Sequence, residues 1–327
     1  MGSESPPEHF FDAIAEATAR IGQQDQVVVF GTTEALDAFS TSEAGKRTDC
    51  SRLRLEKAAE VIDMEDAPLY AVRHKRHSSM IRGIRHLKER DVDAFVTAGN
   101  TGALIAAATI ILPMLPGLER PALLALLPTR KGFVTVIDVG GNVSVKAPQL
   151  VQFAKMGVAF QRTYRNCPNP TVGLLNIGAE SKKGTPEHRQ AYDTLSETPN
   201  MTFVGNVEGR EVFQGRVDVL ATDGFTGNVF LKTSEGVSSF ILDYLAEGFG
   251  EELSGKAGQV LRSLALNVDY DEYPGAIVAG ADRILIKCHG ASSSRAMLNG
   301  ILGALDLLRK NWLAAMHEEL QPLQNDV

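Results

Sequence analysis

The sequence predicts an α/β fold, with a doubly wound, mostly parallel sheet and flanking helices. Two observations predict it. The first is a set of six short apolar runs, each ending at a small Gly-containing polar loop. They are Asp93–Thr97 before Gly99-Asn100-Thr101-Gly102, Val134–Asp138 before Gly140-Gly141-Asn142, and Thr171–Leu175 before Asn176-Ile177-Gly178. Then come Met201–Val204 before Gly205-Asn206, Val217–Leu220 before Asp223–Asn228, and Arg283–Ile286 before His289–Ser293. Short, fully apolar runs rich in β-branched residues read as strands buried on both faces, which is the parallel-sheet pattern. The second observation is that stretches with apolar residues at helical spacing separate these runs.

The elements follow in order. Phe10, Phe11, Ile14, Ala17 and Ile21 repeat at helical spacing within residues 8–24. Gln26 to Phe30 reads as a strand, and Gly31-Thr32-Thr33 starts the next helix. A strand is expected near Glu60 to Ile62, then a helix capped by Asp66 with Pro68 in its first turn. Ser78-Ser79 caps a helix from Met80 to Arg90, and Ala103 to Ile111 reads as a buried helix ending before Pro113. A long helical stretch is expected over Val229 to Glu247 and again over Leu253 to Leu266, and a terminal helix from Ser292 to Leu320. No strand precedes the first helix, because Met1-Gly2-Ser3-Glu4 reads as a loop. Either the sheet starts late or the chain begins inside a longer one. With no low-complexity linker and no repeat, residues 1–327 read as a single α/β domain, within which 237–266 is a protruding helical segment facing a dimer partner or a membrane.

Composition narrows the function classes. At 44% hydrophobic and 22% charged residues, the chain is ordinary for a soluble globular protein. A formal net charge of −7 argues against a dedicated nucleic-acid binder. Cys50, Cys167 and Cys288 have neither metal-ligand spacing nor the even count of a disulfide framework, so a reducing compartment is expected. Met1 to Pro7 has no apolar signal core, and the most apolar stretch, Gly102 to Leu118, is interrupted by Pro113 and Pro116. There is no GxGxxG after a strand, no P-loop, no GxSxG elbow and no HExxH.

The polar loops supply the candidate site. Ligands of parallel sheets sit beyond the carboxyl ends of the strands, where glycines let backbone N–H groups approach an anion. The anion-binding candidates are Gly99, Asn100, Thr101, Gly102, Asn142, Asn176, Gly205, Asn206, Gly227, His289 and Ser292. Ordinary turn chemistry is the alternative for each. Lys183, just past a strand end, suits a phosphate as a point charge, or else is a solvated loop lysine. Asn228 follows Gly224-Phe225-Thr226-Gly227 and can donate to an oxyanion, or else is a helix cap. From Arg73 to Arg90, seven lysines and arginines meet one acid, Glu89. Arg82, Arg85 and Lys88 are therefore candidates for docking an acidic partner. Val237, Phe240, Ile241, Tyr244 and Leu245 form one apolar stripe, and Val260, Leu261, Leu264 and Leu266 another.

Taken together and in order, these motifs resemble the bacterial phosphate acyltransferases, which convert acyl-acyl carrier protein and inorganic phosphate to acyl phosphate. The resemblance runs over nearly the whole chain. It rests on Arg73–Met80 (RHKRHSSM), Ala98–Ala103 (AGNTGA), Leu115–Pro121 (LPGLERP), Gly173–Gly178 (GLLNIG), Val204–Arg210 (VGNVEGR) and Asp223–Asn228 (DGFTGN), the last followed by Lys232–Gly236 (KTSEG). There are departures from the family pattern. The family usually opens with a strand and MGGD, where this chain has Met1-Gly2-Ser3-Glu4; Ser144 replaces an acid; Ala179-Glu180-Ser181 replaces an acidic triplet; and Lys287–Ser292 reads KCHGAS. The resemblance implies an isocitrate/isopropylmalate dehydrogenase-like fold, with Lys183 and Asn228 as catalytic residues. It also implies acyl carrier protein and inorganic phosphate as partners, a homodimer, and no metal or organic cofactor. It further implies a cytoplasmic enzyme of phospholipid synthesis, peripherally associated with the membrane. A phosphotransacetylase-like enzyme acting on a coenzyme A ester and a non-catalytic carrier-protein-binding scaffold are the alternatives.

Overall fold

In the computed structural model, residues 1–249, 255, 258–259 and 275–320 are described. The described strands are β1 (Val27–Gly31), β2 (Leu53–Lys57), β3 (Ala94–Thr97), β4 (Ala122–Thr129), β5 (Gly132–Ile137), β6 (Thr171–Asn176), β7 (Thr202–Glu208), β8 (Val219–Ala221), β9 (Ala276–Ala279) and β10 (Ile284–Lys287). The helices are α1 (Phe11–Arg20), α2 (Thr33–Thr41), α3 (Glu43–Lys46), α4 (Pro68–His74), α5 (Ser79–Lys88) and α6 (Thr101–Ile111). They continue with α7 (Ala147–Thr163), α8 (Pro186–Ser196), α9 (Gly209–Val212), α10 (Gly224–Phe249), α11 (Ser294–Arg309) and α12 (Trp312–Leu320). The chain divides into two compact units, residues 1–121 with 273–327, and residues 122–272.

In the second unit β5, β8, β6 and β7 pair in parallel, in that order, and β4 pairs antiparallel with β5 through a tight turn at Arg130–Lys131. Val134, Val136, Val172, Leu174, Val219 and Leu220 are fully buried, as their apolar runs require. Helix α7 packs on β5 and β8. Gly157 makes this possible: a Cβ there would lie 2.4 Å from Val219 Cγ1. In the first unit β3 pairs parallel with β10, β10 antiparallel with β9, and β1 parallel with β2. Helix α5 packs on both β1 and β3. Its apolar face, Met80, Ile81, Ile84 and Leu87, is buried, and Ser78 caps it by accepting from Ile81 N at 3.4 Å.

All six expected strands form. The antiparallel strands β4 and β9 add to them. The strand expected near Glu60–Ile62 lies earlier, as β2, and Glu60 makes only an isolated bridge to Ser78. Asp66 does not cap α4, whose N-cap is Ala67. Asp66 instead accepts from Asp63 N at 2.8 Å and pairs with Lys75 at 2.5 Å. The terminal helix is broken at Asn311, where a φ of 51° interrupts it between α11 and α12. Leu253–Leu266 falls almost wholly outside the described residues, as do Val260, Leu261, Leu264 and Leu266.

Within the first unit a cavity of about 440 Å³ is lined by all of β1 and all of β3. Phe10, Phe11, Ile14, Met80, Met297 and Ile301 close its sides. Among the described residues β1 pairs with β2 alone and β3 with β10 alone.

Candidate active site

Two structural arms in the second unit carry the candidate catalytic residues. The first runs from the end of β6 to the start of α8 and bears Lys183. Asn176, the last residue of β6, donates from Nδ2 to Asn206 Oδ1 at 3.0 Å and to Lys183 O at 3.2 Å. Asn206 donates from its own Nδ2 to Glu180 O at 2.8 Å. The two amides hold both ends of the 180–183 turn. Glycines allow the close approach: Gly184 has φ +86°, and a Cβ there would fall 2.8 Å from the Asn176 amide. Gly205-Asn206 is not a loop beyond a strand, as the sequence suggests. It lies inside β7 at a register shift, where Gly205 takes φ +91° and one extra residue bulges. Such a bulge re-aims the next side chain, here Asn206 toward Asn176. Lys183 itself is exposed, and its ammonium has no ion-pair partner among the described residues.

The second arm runs from β5 through the Gly140-Gly141-Asn142 turn and meets the start of α10. Asp138, wholly buried, organises it. Its Oδ1 accepts from Leu123 N at 3.0 Å, Gly140 N at 3.1 Å and Gly141 N at 2.8 Å. Its Oδ2 accepts from Asn142 N at 2.6 Å and Asn142 Nδ2 at 2.9 Å. Burial pushes the Asp138 carboxyl above its usual range, and these donors pull against that rise. Asp223 caps α10 through Thr226 N at 2.8 Å and Thr226 Oγ1 at 2.7 Å. Asn228 is therefore not the cap. It lies one turn in, exposed, beside Gly140, and its side chain has no hydrogen-bond partner among the described residues. The two arms sense each other's charge: burial lowers the pKa of the His188 imidazole, in the first turn of α8, while Asp223 pulls it upward.

The other candidates divide sharply. Asn142, Asn176 and Asn206 are engaged in holding loops, and the Gly140, Gly141 and Asn142 amides turn inward to Asp138 rather than toward a ligand. Gly227 is buried, because a Cβ there would strike Asp138 O at 1.9 Å. In the first unit Asn100 is a cap and tie: its Oδ1 accepts from Ala103 N at 3.0 Å. Its Nδ2 reaches the Asp63, Met64 and Asp66 carbonyls at 3.0 to 3.1 Å. Gly99 donates to Thr97 Oγ1 at 3.1 Å, Thr101 begins α6, and Gly102 packs on Pro68. His289 is exposed and accepts from Ala291 N at 3.2 Å. Ser292 Oγ is buried, with no hydrogen-bond partner among the described residues. Sequence reasoning missed Asp138. Its one signal was an acid closing an otherwise apolar run before two glycines.

The basic stretch is less basic in the fold than in the sequence. Arg82 pairs with Glu56 at 3.1 Å and donates to Lys57 O, and Lys75 pairs with Asp66 and Asp63. Arg73, Arg76, Arg85, Lys88 and Arg90 stay exposed, with no ion pair among the described residues.

Residues 1–315 match the family model described as "Fatty acid synthesis protein". A phosphate acyltransferase of Chlamydia trachomatis serovar A is 41% identical over 315 residues, which is 95% of this chain and 93% of that one. The chain belongs to the phosphate acyltransferase family. A second phosphate acyltransferase, of Chlamydia abortus, is 46% identical over 248 residues, 76% of this chain and 75% of that one. Among solved structures, a phosphotransacetylase from Streptococcus pyogenes superposes with a TM-score of 0.60 at 15% identity, covering 93% of each chain. A 4-hydroxythreonine-4-phosphate dehydrogenase from Klebsiella pneumoniae superposes with a TM-score of 0.51 at 15% identity, covering 91% of this chain and 94% of that one. At these identities the likeness concerns the fold alone, a mixed α/β architecture with flanking helices.

Proposed function

We propose that this phosphate acyltransferase moves a fatty acyl group from the thioester of acyl carrier protein to inorganic phosphate, giving acyl phosphate for phospholipid synthesis. A phosphate oxygen attacks the thioester carbon, the C–S bond breaks, and the thiolate takes up the proton that the hydrogen phosphate loses. Phosphate is largely ionised near neutral pH and thiolate leaves well. The reaction needs positioning and charge stabilisation more than a strong base or a covalent intermediate. Lys183 holds the phosphate as a point charge, and the Asn228 amide donates to the oxyanion. One observation carries this assignment. Among the candidate polar side chains of the second unit, Lys183 and Asn228 are exposed with no side-chain partner among the described residues, while the asparagines around them are engaged.

Arg85 and Lys88 support docking of an acidic carrier protein. Arg82, held by Glu56, does so less. A coenzyme A ester is the competing donor. With long-chain acyl carrier protein and phosphate, acyl phosphate trapped as the hydroxamate should form far faster than from the matching coenzyme A ester. Equal rates from both donors would favour the phosphotransacetylase-like alternative. The exposed stripe Val237, Phe240, Ile241 and Tyr244 on α10 supports the homodimer and the peripheral membrane association. No described helix is long and apolar enough to cross a membrane.

A further inference from the structure

We propose that Asp138 is the positioning residue for Asn228: its carboxylate fixes the Gly140–Asn142 turn, and that turn sets the first turn of α10, on which Asn228 stands. The proposal rests on the reading of Asn228 given above. Four of the five hydrogen bonds to Asp138 come from the turn itself, so the carboxylate determines the turn's shape more than it ties strands together. Only the fifth, from Leu123 N, comes from elsewhere. No cation pairs with it among the described residues, so N–H dipoles alone stabilise the charge.

The turn and the helix start then meet with almost no clearance. Gly224 N donates to Asn142 O at 2.8 Å, and Thr222 N donates to Ile137 O at 2.8 Å. Asp138 N donates to Thr222 O at 3.1 Å. A Cβ on Gly224 would fall 2.7 to 2.9 Å from Asn142 O, Asn142 N and Asp138 Oδ2, and one on Gly227 would fall 1.9 Å from Asp138 O. Gly140, at φ +134°, faces the Asn228 side chain, and a Cβ there would fall 3.4 to 3.6 Å from three of its atoms. Movement of the 140–142 turn is therefore transmitted by direct contact to the first turn of α10, which carries Asn228. A general core acid would lack this chain of contacts.

The test is a double-mutant cycle on kcat between positions 138 and 228. Asp138→Asn keeps one acceptor oxygen but presents an NH2 group to the Asn142 donors. A misplacement of about 1 Å at the reacting group costs on the order of a hundredfold in turnover. Asp138→Asn should lose about that much kcat while KM for the acyl carrier protein stays within roughly twofold. In the Asn228→Ala background the same substitution should cost less than about threefold, because the group it positions is gone. Asn142→Ala removes one donor and leaves the carboxylate and the backbone donors. It should show a smaller loss that also vanishes in the Asn228→Ala background. It serves as the second readout should Asp138→Asn fail to fold.

Equal losses in both backgrounds would overturn the positioning role and leave Asp138 as a structural acid. Full activity in Asn228→Ala alone would overturn the reading of Asn228 and this inference with it.

Discussion

The two arms of the candidate site reach the same end by different chemistry. The Lys183 arm is held by neutral groups, two asparagine amides bridging β6, β7 and the 180–183 turn near the surface. The Asn228 arm is held by a buried carboxylate ringed by N–H donors. In both, polar groups that look like ligands in the sequence face inward and fix backbone. Of the candidate polar side chains, Lys183 on one arm and Asn228 on the other are exposed and unengaged among the described residues. An abundance of Asn and Gly at strand ends is therefore a sign of loop construction as much as of binding.

The largest expected effect is at the arm tips. Lys183→Ala and Asn228→Ala should each lose roughly a hundredfold or more in turnover, the scale of one lost oxyanion donor. Thermal unfolding should hardly change, since both side chains are exposed and without partners among the described residues. If both variants turn over near normally, the distinction between tips and supports collapses.

The supports should behave in the opposite way. Asn206→Ala removes two hydrogen bonds, to the Glu180 carbonyl and from the Asn176 amide, which keeps Lys183 O, at a cost of about 1–3 kcal/mol in stability. Its effect on turnover should be smaller than that of Lys183→Ala. A variant as stable as the parent but as inactive as Lys183→Ala would make Asn206 a ligand after all.

The smallest effect is expected at the basic stretch. Charge reversal at Arg85 and Lys88 should weaken use of the acyl carrier protein several-fold at low salt and little at high salt. Reversal at Arg82 should also cost up to about 1 kcal/mol of stability, because it breaks the Glu56 contact. If the Arg85 and Lys88 variants use the carrier protein as well as the parent does at low salt, the stretch is only a solvated helix face.

Much of the fold was legible because burial on both faces leaves a plain mark. Val134, Val136, Val172 and Leu174 could hardly be anything but inner strands. The bulge at Gly205 was not legible, since a Gly-Asn pair reads the same in a loop and in a bulged strand. Nor was the division into two units, because no change of composition or linker accompanies it near Pro121 and Ala122. At the candidate site, the residue types at Lys183 and Asn228 were legible as candidates, but the engagement of Asn100, Asn142, Asn176 and Asn206 was not. Hydrogen-bond partners distant in sequence decide whether an amide is a ligand or a brace, as in the pairing of Asn176 with Asn206. The same holds for Arg82, whose neutralising partner Glu56 lies on β2.

We propose direct attack by phosphate at a site that positions its reactants and forms no acyl-enzyme. Thiol release from long-chain acyl carrier protein, followed on the millisecond scale with and without phosphate, tests it most directly. Release is predicted only when phosphate is present, with no burst in its absence. A phosphate-independent burst equal to the enzyme concentration would reveal a covalent intermediate, and steady phosphate-independent release would reveal hydrolysis; either would contradict direct attack by phosphate.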